Sequence, residues 1–247
     1  MYEKELKIAI AAVKASEKTF RRYFGTKTKV QIKNDDYRNI ATLADRKIEK
    51  DIKSFLSLRF PEYGFIGEEN GHFRTRSPFL WVLDPVDGTT NFVHGHPECA
   101  ISLALLKNKQ PVLAVVSAPL LNEFYVARLG SGASLNGKKL RVSKIADVKT
   151  SYGAIGWSRN LNFAVWLFSK ILKHITTTRV AGSGTIALCY VAKGTYDFFV
   201  GRGGSQIWDT AAGELIVKEA GGRFYQDSKI EIAANSVLAA KLFKLFK

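Results

Sequence analysis

Residues 79–91 read FLWVLDPVDGTTN, and this stretch decides what fold we expect. Its apolar first half predicts a buried strand that ends abruptly at Asp84. A proline then restricts the backbone and Gly88 permits a tight turn, so Asp84, Asp87 and the Val86 carbonyl can point at one place. Oxygen ligands of this kind suit hard cations such as Mg²⁺. The alternative is an ordinary surface turn, because Asp, Pro and Gly dominate turns.

A helix that started directly after this turn would place backbone N–H groups beside the two carboxylates. Residues 89–91 read TTN, and the first N–H groups of a helix form an anion site. Metal ligands and an anion cradle would then lie side by side. Phosphoryl transfer requires that combination, with cations on the phosphate oxygens and fixed donors around them.

Acidic residues also stand at the boundaries of other predicted elements. Glu68 and Glu69 follow a short strand predicted at 63–67, and two adjacent carboxylates repel unless a cation is near. Asp209 heads a later helix in the sequence WDTAAG, and Asp45 lies in the second helix. Taken singly, the Glu68-Glu69 pair also fits an exposed acidic turn. Asp209 also fits a helix N-cap, and Asp45 a solvated helix charge.

Hydrophobic periodicity along the rest of the chain predicts helices first, then a run of strands, and then alternation. Helices are predicted at 2–24, 42–59, 161–173, 184–191, 209–219 and 235–246. Strands are predicted at 63–67, 79–83, 99–106, 112–118, 123–128, 150–157 and 196–200, with a hairpin turn at Asn136-Gly137 and a loop or short strand at 26–39. This order indicates an α+β fold with mixed layers and argues against a simple doubly wound sheet.

The composition narrows the class of protein. The 247 residues fit one large domain or two fused halves. No apolar run approaches the roughly 20 residues of a membrane span, and the start of the chain has no apolar signal region, so we expect a cytoplasmic protein without membrane contact. Cys99 and Cys189 stand in apolar surroundings and fit buried free thiols in a reducing compartment.

The net charge of +15 makes polyanions candidate partners. The basic residues are dispersed without an arginine-rich run, which favours a lysine-rich solvated surface over a nucleic-acid interface. A positive field would also favour a phosphorylated substrate. The tail at 240–247 is basic and amphipathic, and either touches a membrane surface or packs its Leu and Phe side chains on the protein.

The acidic motifs together resemble those of the lithium-sensitive, magnesium-dependent phosphatases, the superfamily of inositol monophosphatases and fructose-1,6-bisphosphatases. That pattern is a helix Asp, then Glu-Glu, then an Asp-Pro-x-Asp-Gly-Thr motif, then Trp-Asp-x-x-Ala-Gly. The chain matches all four in order, at Asp45, 68–69, 84–89 and 208–213. The resemblance covers nearly the whole chain and implies a layered α-β-α-β-α sandwich that is usually dimeric. One phosphatase unit is expected, with an N-terminal half at 1–145 and a C-terminal half at 146–247.

The resemblance also implies roles for the matching residues. The metal ligands would be Glu68, Asp84, the Val86 carbonyl, Asp87 and Asp209, holding two or three Mg²⁺ ions per site, with Mn²⁺ as an alternative. Catalysis would involve Glu68 and a pair, Thr89 with Asp45, that orients and activates the attacking water. The N–H groups of Gly88 and Thr89 would bind the phosphate.

Substrate choice is less defined by the sequence. Animal inositol monophosphatases carry a glutamate shortly before Trp-Asp, whereas residues 200–207 hold Arg202 and no acid. This region resembles archaeal enzymes that take both inositol phosphate and fructose 1,6-bisphosphate. Arg202, and more weakly Arg179, could bind a second phosphate, and Ser183-Gly184 resembles a substrate contact. Alternatively, Arg202 is a surface residue of a flexible loop.

Two other functions stay open at this stage. The first is a 3′-phosphoadenosine-type nucleotide phosphatase, although that branch usually has a longer chain with insertions. The second is a non-catalytic nucleic-acid-binding relative, which the +15 charge favours. Carboxylates that converge without a metal would repel a polyanion. The leading expectation is therefore a phosphatase that acts on a small phosphorylated metabolite.

Overall fold

The computed structural model describes residues 1–26, 31–33, 36–69, 71–158 and 160–246, and the predicted loop at 26–39 lies partly outside this range. The helices are α1 (Glu3–Tyr23), α2 (Leu43–Arg59), α3 (Thr89–Val93), α4 (Leu161–Ile171), α5 (Gly184–Lys193), α6 (Ile207–Glu219) and α7 (Ser236–Phe246). A small antiparallel pair is formed by β1 (Gln31–Lys33) and β2 (Asp36–Ala41).

Two larger sheets follow in chain order. The first comprises β3 (Gly64–Gly67), β4 (His72–Phe73), β5 (Phe79–Asp87), β6 (Ala100–Lys107), β7 (Gln110–Ala118), β8 (Glu123–Arg128), β9 (Gly132–Leu135) and β10 (Lys138–Lys139). The second comprises β11 (Tyr152–Ile155), β12 (Thr177–Arg179), β13 (Phe198–Arg202), β14 (Arg223–Gln226) and β15 (Ile230–Ala234). Their strand orders are β10-β9-β8-β7-β6-β5-β3-β4 and β12-β11-β13-β15-β14.

The helices and sheets alternate as layers, each pair of layers closing over an apolar core. Helices α1 and α2 pack on one face of the first sheet, around side chains such as Phe20 and Ile48. Helices α5 and α6 lie between the two sheets, where Leu188 and Ile216 are buried. Helices α4 and α7 cover the outer face of the second sheet. The predicted α-β-α-β-α sandwich is confirmed, while the division at residue 145 stays a prediction.

Most predicted elements occur where the periodicity placed them, with two differences near the acidic motifs. Strand β5 does not end at Leu83 but continues to Asp87, because Asp84 and Asp87 still pair with β6 on either side of a bulge. Helix α6 begins at Ile207, two residues before Asp209. The Asn136-Gly137 turn is confirmed, and both residues have positive φ, as a type I′ hairpin requires.

The C-terminal tail packs on the protein. Leu238, Leu242 and Phe246 recur along α7 and are buried against the second sheet. This arrangement supports the packing interpretation of the tail over the membrane one. Among the described residues, no helix is both long and apolar enough to cross a membrane. Cys99 and Cys189 are buried and unbridged, as predicted.

Candidate active site

Parallel pairing of β3 with β5 brings the first two acidic motifs together. Gly67 lies opposite Leu83, so the next residues, Glu68 and Asp84, stand side by side. The Glu68 N–H donates to the Leu83 carbonyl at 3.3 Å and continues the ladder to that point. Asp84 is only 2% exposed. A carboxylate this deeply buried is costly unless a compensating charge or donor is near.

The turn after Asp84 is held by its own side chains. Asp84 Oδ1 accepts from the Val86 N–H at 3.0 Å, and the Thr89 hydroxyl donates to the Val86 carbonyl at 3.0 Å. Gly88 has φ +83°, and a Cβ there would lie 3.0 Å from the Glu98 carbonyl oxygen. Glycine is therefore required both for the backbone conformation and for the close approach. The turn is a packed part of the site, and the surface-turn alternative is wrong.

Asp87 faces the beginning of α5. Its Oδ2 accepts from the Thr185 N–H at 2.8 Å and from the Ser183 hydroxyl. Ser183 is also the N-cap of α5, where its oxygen accepts from the Ile186 N–H at 3.1 Å. The positive end of a helix stabilises a carboxylate placed there. Ser183 and Gly184, predicted as substrate contacts, line a cavity beside Asp87. The Ser183 hydroxyl, however, already donates its hydrogen bond to Asp87.

Asp45 and Asp209 occupy equivalent positions in two different helices. Each is the third residue of its helix and forms a capping box, Asp45 with Thr42 and Asp209 with Gln206. Asp209 is therefore not the N-cap, because Gln206 takes that position and donates its N–H to Asp209 Oδ2 at 2.9 Å. The solvated-charge alternative for Asp45 is wrong, since Asp45 is fully buried. Its Oδ1 atom has no hydrogen-bond partner among the described residues.

A further carboxylate, that of Glu49, is hydrogen-bonded to the backbone of the Glu68-Glu69 turn. It is fully buried in α2, one turn after Asp45, and Glu49 Oε2 accepts from the Glu69 N–H at 2.9 Å. A Cβ on Gly67 would lie 2.4 Å from the same oxygen. Glu49 was not among the sequence-predicted site residues. Its one-turn spacing from Asp45 was the available signal, but the contact with Gly67 depends on the packing of α2 against β3.

The electrostatics show that the acidic motifs converge. The pKa of Asp84 is raised well above its usual range, first by burial and then by Glu68, Asp87, Asp209 and Asp45. Burial also raises the pKa of Asp87, and it raises that of Asp45 to about 7. These four carboxylates repel the carboxylate of Asp84 strongly, because charges are weakly screened in a buried, low-dielectric setting. The structure thus brings all the predicted acidic residues to one place.

The donor set fits magnesium. It consists of carboxylate oxygens with the Val86 carbonyl nearby, which is the chemistry that Mg²⁺ prefers. The unpartnered Asp45 Oδ1 and the mutual repulsion around Asp84 are both relieved by a cation. In the described part of the chain, no three His, Cys, Asp or Glu side chains are already arranged to hold a metal ion. Asp87 and Asp209 accept hydrogen bonds from backbone N–H groups at the beginnings of α5 and α6, which fixes their orientation.

Two adjoining cavities open beside these carboxylates. The first, of 310 Å³, is lined by Asp87 and Asp209, and the second, of 540 Å³, by Glu68 and Asp209. Arg202 lines both, so the structure places it where the sequence suggested. Arg179 lines neither, because it lies on the short edge strand β12 with its guanidinium 5.4 Å from the Tyr152 ring centroid. The substrate contact at Arg179 stays a prediction that neither cavity supports.

Three further residues line the first cavity and were missed by the sequence reasoning. They are Trp157 and Ser205, in loops, and Glu231, the second residue of β15. A charged residue inside the apolar segment IEIAA was a local signal for Glu231. Nothing in the sequence indicated which face of the sheet it occupies or that this face borders the acidic cluster.

Comparison with known proteins places this geometry in a family. A model of the inositol monophosphatase family matches residues 1–242. Inositol monophosphatase 1 of Solanum lycopersicum is 35% identical over 245 residues, 95% of this chain and 88% of its own length. A fructose-1,6-bisphosphatase/inositol-1-monophosphatase of Thermotoga maritima is 40% identical over 190 residues, 77% of this chain and 72% of its own. The crystal structure of extragenic suppressor protein suhB from Bartonella henselae superposes with a TM-score of 0.92 at 30% identity, covering 99% of both chains.

Proposed function

The chain belongs to the inositol monophosphatase family and is a phosphoric monoester hydrolase, and we propose that it hydrolyses a small sugar or polyol phosphate with Mg²⁺. Inositol 1-phosphate and fructose 1,6-bisphosphate are the proposed substrates. The observation that carries the proposal is the convergence of Glu68, Asp87 and Asp209 on the buried Asp84, beside a cavity large enough for a sugar phosphate. A bound cation would relieve the mutual repulsion of these carboxylates.

The cation site is proposed to use oxygen ligands from three elements. Glu68, Asp84, Asp87, Asp209 and the Val86 carbonyl would hold two or three Mg²⁺ ions, with Mn²⁺ as a substitute. Bound there, the ions would lower the pKa of water and neutralise charge on the phosphate. Because the helix N-termini and capping boxes already orient Asp87 and Asp209, little side-chain freedom is lost when they bind a metal.

The remaining residues would position the phosphate and the water. The turn that contains Gly88 and Thr89 is held rigid by the bond from the Thr89 hydroxyl to the Val86 carbonyl. Its backbone N–H groups are proposed to bind phosphate oxygens. Thr89 and the buried Asp45 are proposed to orient the attacking water. Burial raises the pKa of Asp45, which makes its carboxylate a better proton acceptor for that water.

The leaving group would occupy the first cavity, which Asp87 and Asp209 also line. Arg202, at its rim, is proposed to bind the second phosphate of fructose 1,6-bisphosphate, since a guanidinium matches phosphate oxygens in pairs. The Thermotoga maritima relative is named for both activities, which supports this assignment. The homodimer and the cytoplasmic location stay predictions.

The test is phosphate release from inositol 1-phosphate, fructose 1,6-bisphosphate and 3′-phosphoadenosine 5′-phosphate, each with Mg²⁺ and with excess chelator. Release from either sugar phosphate that stops on chelation is expected. Release from the nucleotide alone would replace the proposal with the nucleotide phosphatase. No release from a folded, metal-loaded protein, together with DNA binding that falls steeply with salt, would favour the nucleic-acid-binding alternative.

A further inference from the structure

Glu231 occupies a position in which a carboxylate is not expected. It is the second residue of β15, an internal strand of the second sheet in which every residue is buried, and it is 6% exposed. Side chains alternate along a strand, and Ile230, Ile232 and Ala234 pack towards α4 and α7. Glu231 therefore points to the opposite face, towards α5 and α6 and the first cavity.

The surroundings of Glu231 in the described part of the chain leave room for its carboxyl group but place no cationic side chain in an ion pair with it. Gly201 is its partner on β13, and a Cβ there would lie 2.5 Å from Glu231 Oε1. The Ser205 hydroxyl donates to the Arg202 carbonyl at 3.1 Å and lies near the carboxyl group, whose Oε2 accepts from Gln226 Nε2 at 3.4 Å. Among the described residues, Glu231 has no ion-pair partner. A buried acid held only by neutral polar groups keeps hydrogen-bonding capacity for a ligand.

The carboxyl group of Glu231 faces the first cavity, where a substrate would lie, and can hydrogen-bond to it there. Glu231 lines this cavity together with Asp87, Asp209 and Arg202. Trp157 also lines it and is 69% exposed, so a large ring stands at the mouth. An apolar ring and a hydrogen-bonding acid in one cavity suit a sugar or polyol, which has C–H faces and hydroxyl edges.

We propose that Glu231 is a specificity residue that hydrogen-bonds the hydroxyl groups of the polyol leaving group. The proposal rests on the proposed function and adds to it a residue that selects the alcohol rather than the phosphate. The Glu231 carboxyl group does not take part in bond breaking. It acts on the binding of hydroxyl-bearing substrates, since a site built to hydrogen-bond a hydroxyl discriminates against an analogue that lacks it.

The protonation state of Glu231 agrees with this role. Burial raises the pKa of Glu231, the Asp209 charge adds to the increase, and the nearby Ser205 hydroxyl opposes it. A protonated carboxyl group both donates and accepts hydrogen bonds. A sugar hydroxyl does the same, so the two groups are complementary.

The test compares two substrates in the Mg²⁺-loaded enzyme. Inositol 1-phosphate presents hydroxyl groups, whereas phenyl phosphate presents none. Glu231→Leu removes all hydrogen bonding at this position, and we expect its KM for inositol 1-phosphate to rise about tenfold, the equivalent of one hydrogen bond to a buried polar group. Its kcat/KM for phenyl phosphate should stay within about twofold of the wild-type value. Glu231→Gln keeps a donor and an acceptor and should retain most of the inositol 1-phosphate affinity.

Controls separate a substrate role from a structural one. Glu214→Leu makes the same chemical change at a residue that pairs with Lys218 outside both cavities, and should leave both KM values unchanged. Equal losses on both substrates in Glu231→Leu would show a structural role and overturn the inference, as would no loss on either. If the wild-type protein hydrolyses neither of these substrates nor fructose 1,6-bisphosphate, the proposed function itself is wrong. If it hydrolyses both without the expected split, only the role of Glu231 is wrong.

Discussion

Replacement of Ser183 by alanine tests whether this residue supports Asp87 or contacts the substrate. Its hydroxyl makes two bonds, one donated to Asp87 Oδ2 and one accepted from the Ile186 N–H at 3.1 Å. Loss of an N-cap costs about 1 kcal/mol, and loss of a hydrogen bond to a charged group about 1.5–3 kcal/mol. The Thr185 N–H remains as a donor to Asp87, so we expect the free energy of unfolding to fall by about 2–3 kcal/mol.

The effect on metal binding follows from the same bonds. Hydrogen bonds from Ser183 and Thr185 lower the pKa of Asp87 against the increase caused by burial. Without the Ser183 bond the pKa of Asp87 rises further, and the carboxylate that a metal requires forms only at higher pH. Loss of a residue that orients a metal ligand weakens metal affinity about 10- to 100-fold. The Mg²⁺ concentration for half-maximal activity should therefore rise by about that factor, most at acidic pH.

The measurements are urea unfolding without metal and Mg²⁺ titrations of phosphate release at several pH values. Ser117→Ala is the matched control, because Ser117 is a buried serine that donates to the Glu17 carboxylate at 2.7 Å, away from the site. This control should lose stability without a change in Mg²⁺ requirement. A higher substrate KM with an unchanged Mg²⁺ requirement in Ser183→Ala would refute the reasoning and restore the direct substrate contact.

Three further changes address the other parts of the site. Asp84→Asn should abolish turnover while the fold is kept, because an amide cannot balance two cations; near-wild-type phosphate release would contradict the metal assignment. Arg202→Ala should raise the KM for fructose 1,6-bisphosphate more than that for inositol 1-phosphate, whereas Arg179→Ala, outside both cavities, should alter neither. Gly67→Ala places a Cβ 2.4 Å from Glu49 Oε2 and should cost about 1–3 kcal/mol in urea unfolding. Unaltered stability in that variant would mean that Glu49 moves away freely.

Local sequence contains much of the information for this site. The apolar run before Asp84, the glycine at position 88 and the capping residues near Asp45 act over a few residues, so periodicity and turn chemistry reveal them. The order of the acidic motifs was enough to identify the family, which the family comparison confirms. The ends of helices and strands were less well predicted. Strand β5 continues to Asp87 because its pairing with the neighbouring strand β6 extends it beyond the apolar run.

Tertiary structure alone decided which residues support the motifs and which border the cavity. Ser183 meets Asp87 across 96 positions of sequence, and Glu49 lies beneath Gly67 only because α2 packs beside β3. Glu231 faces the cavity because β15 pairs with β13 in one register, and a shift by one residue would turn it to the opposite face. Helix propensity and turn chemistry are properties of neighbouring residues, whereas the partners of a buried carboxylate depend on which layers the whole chain brings into contact.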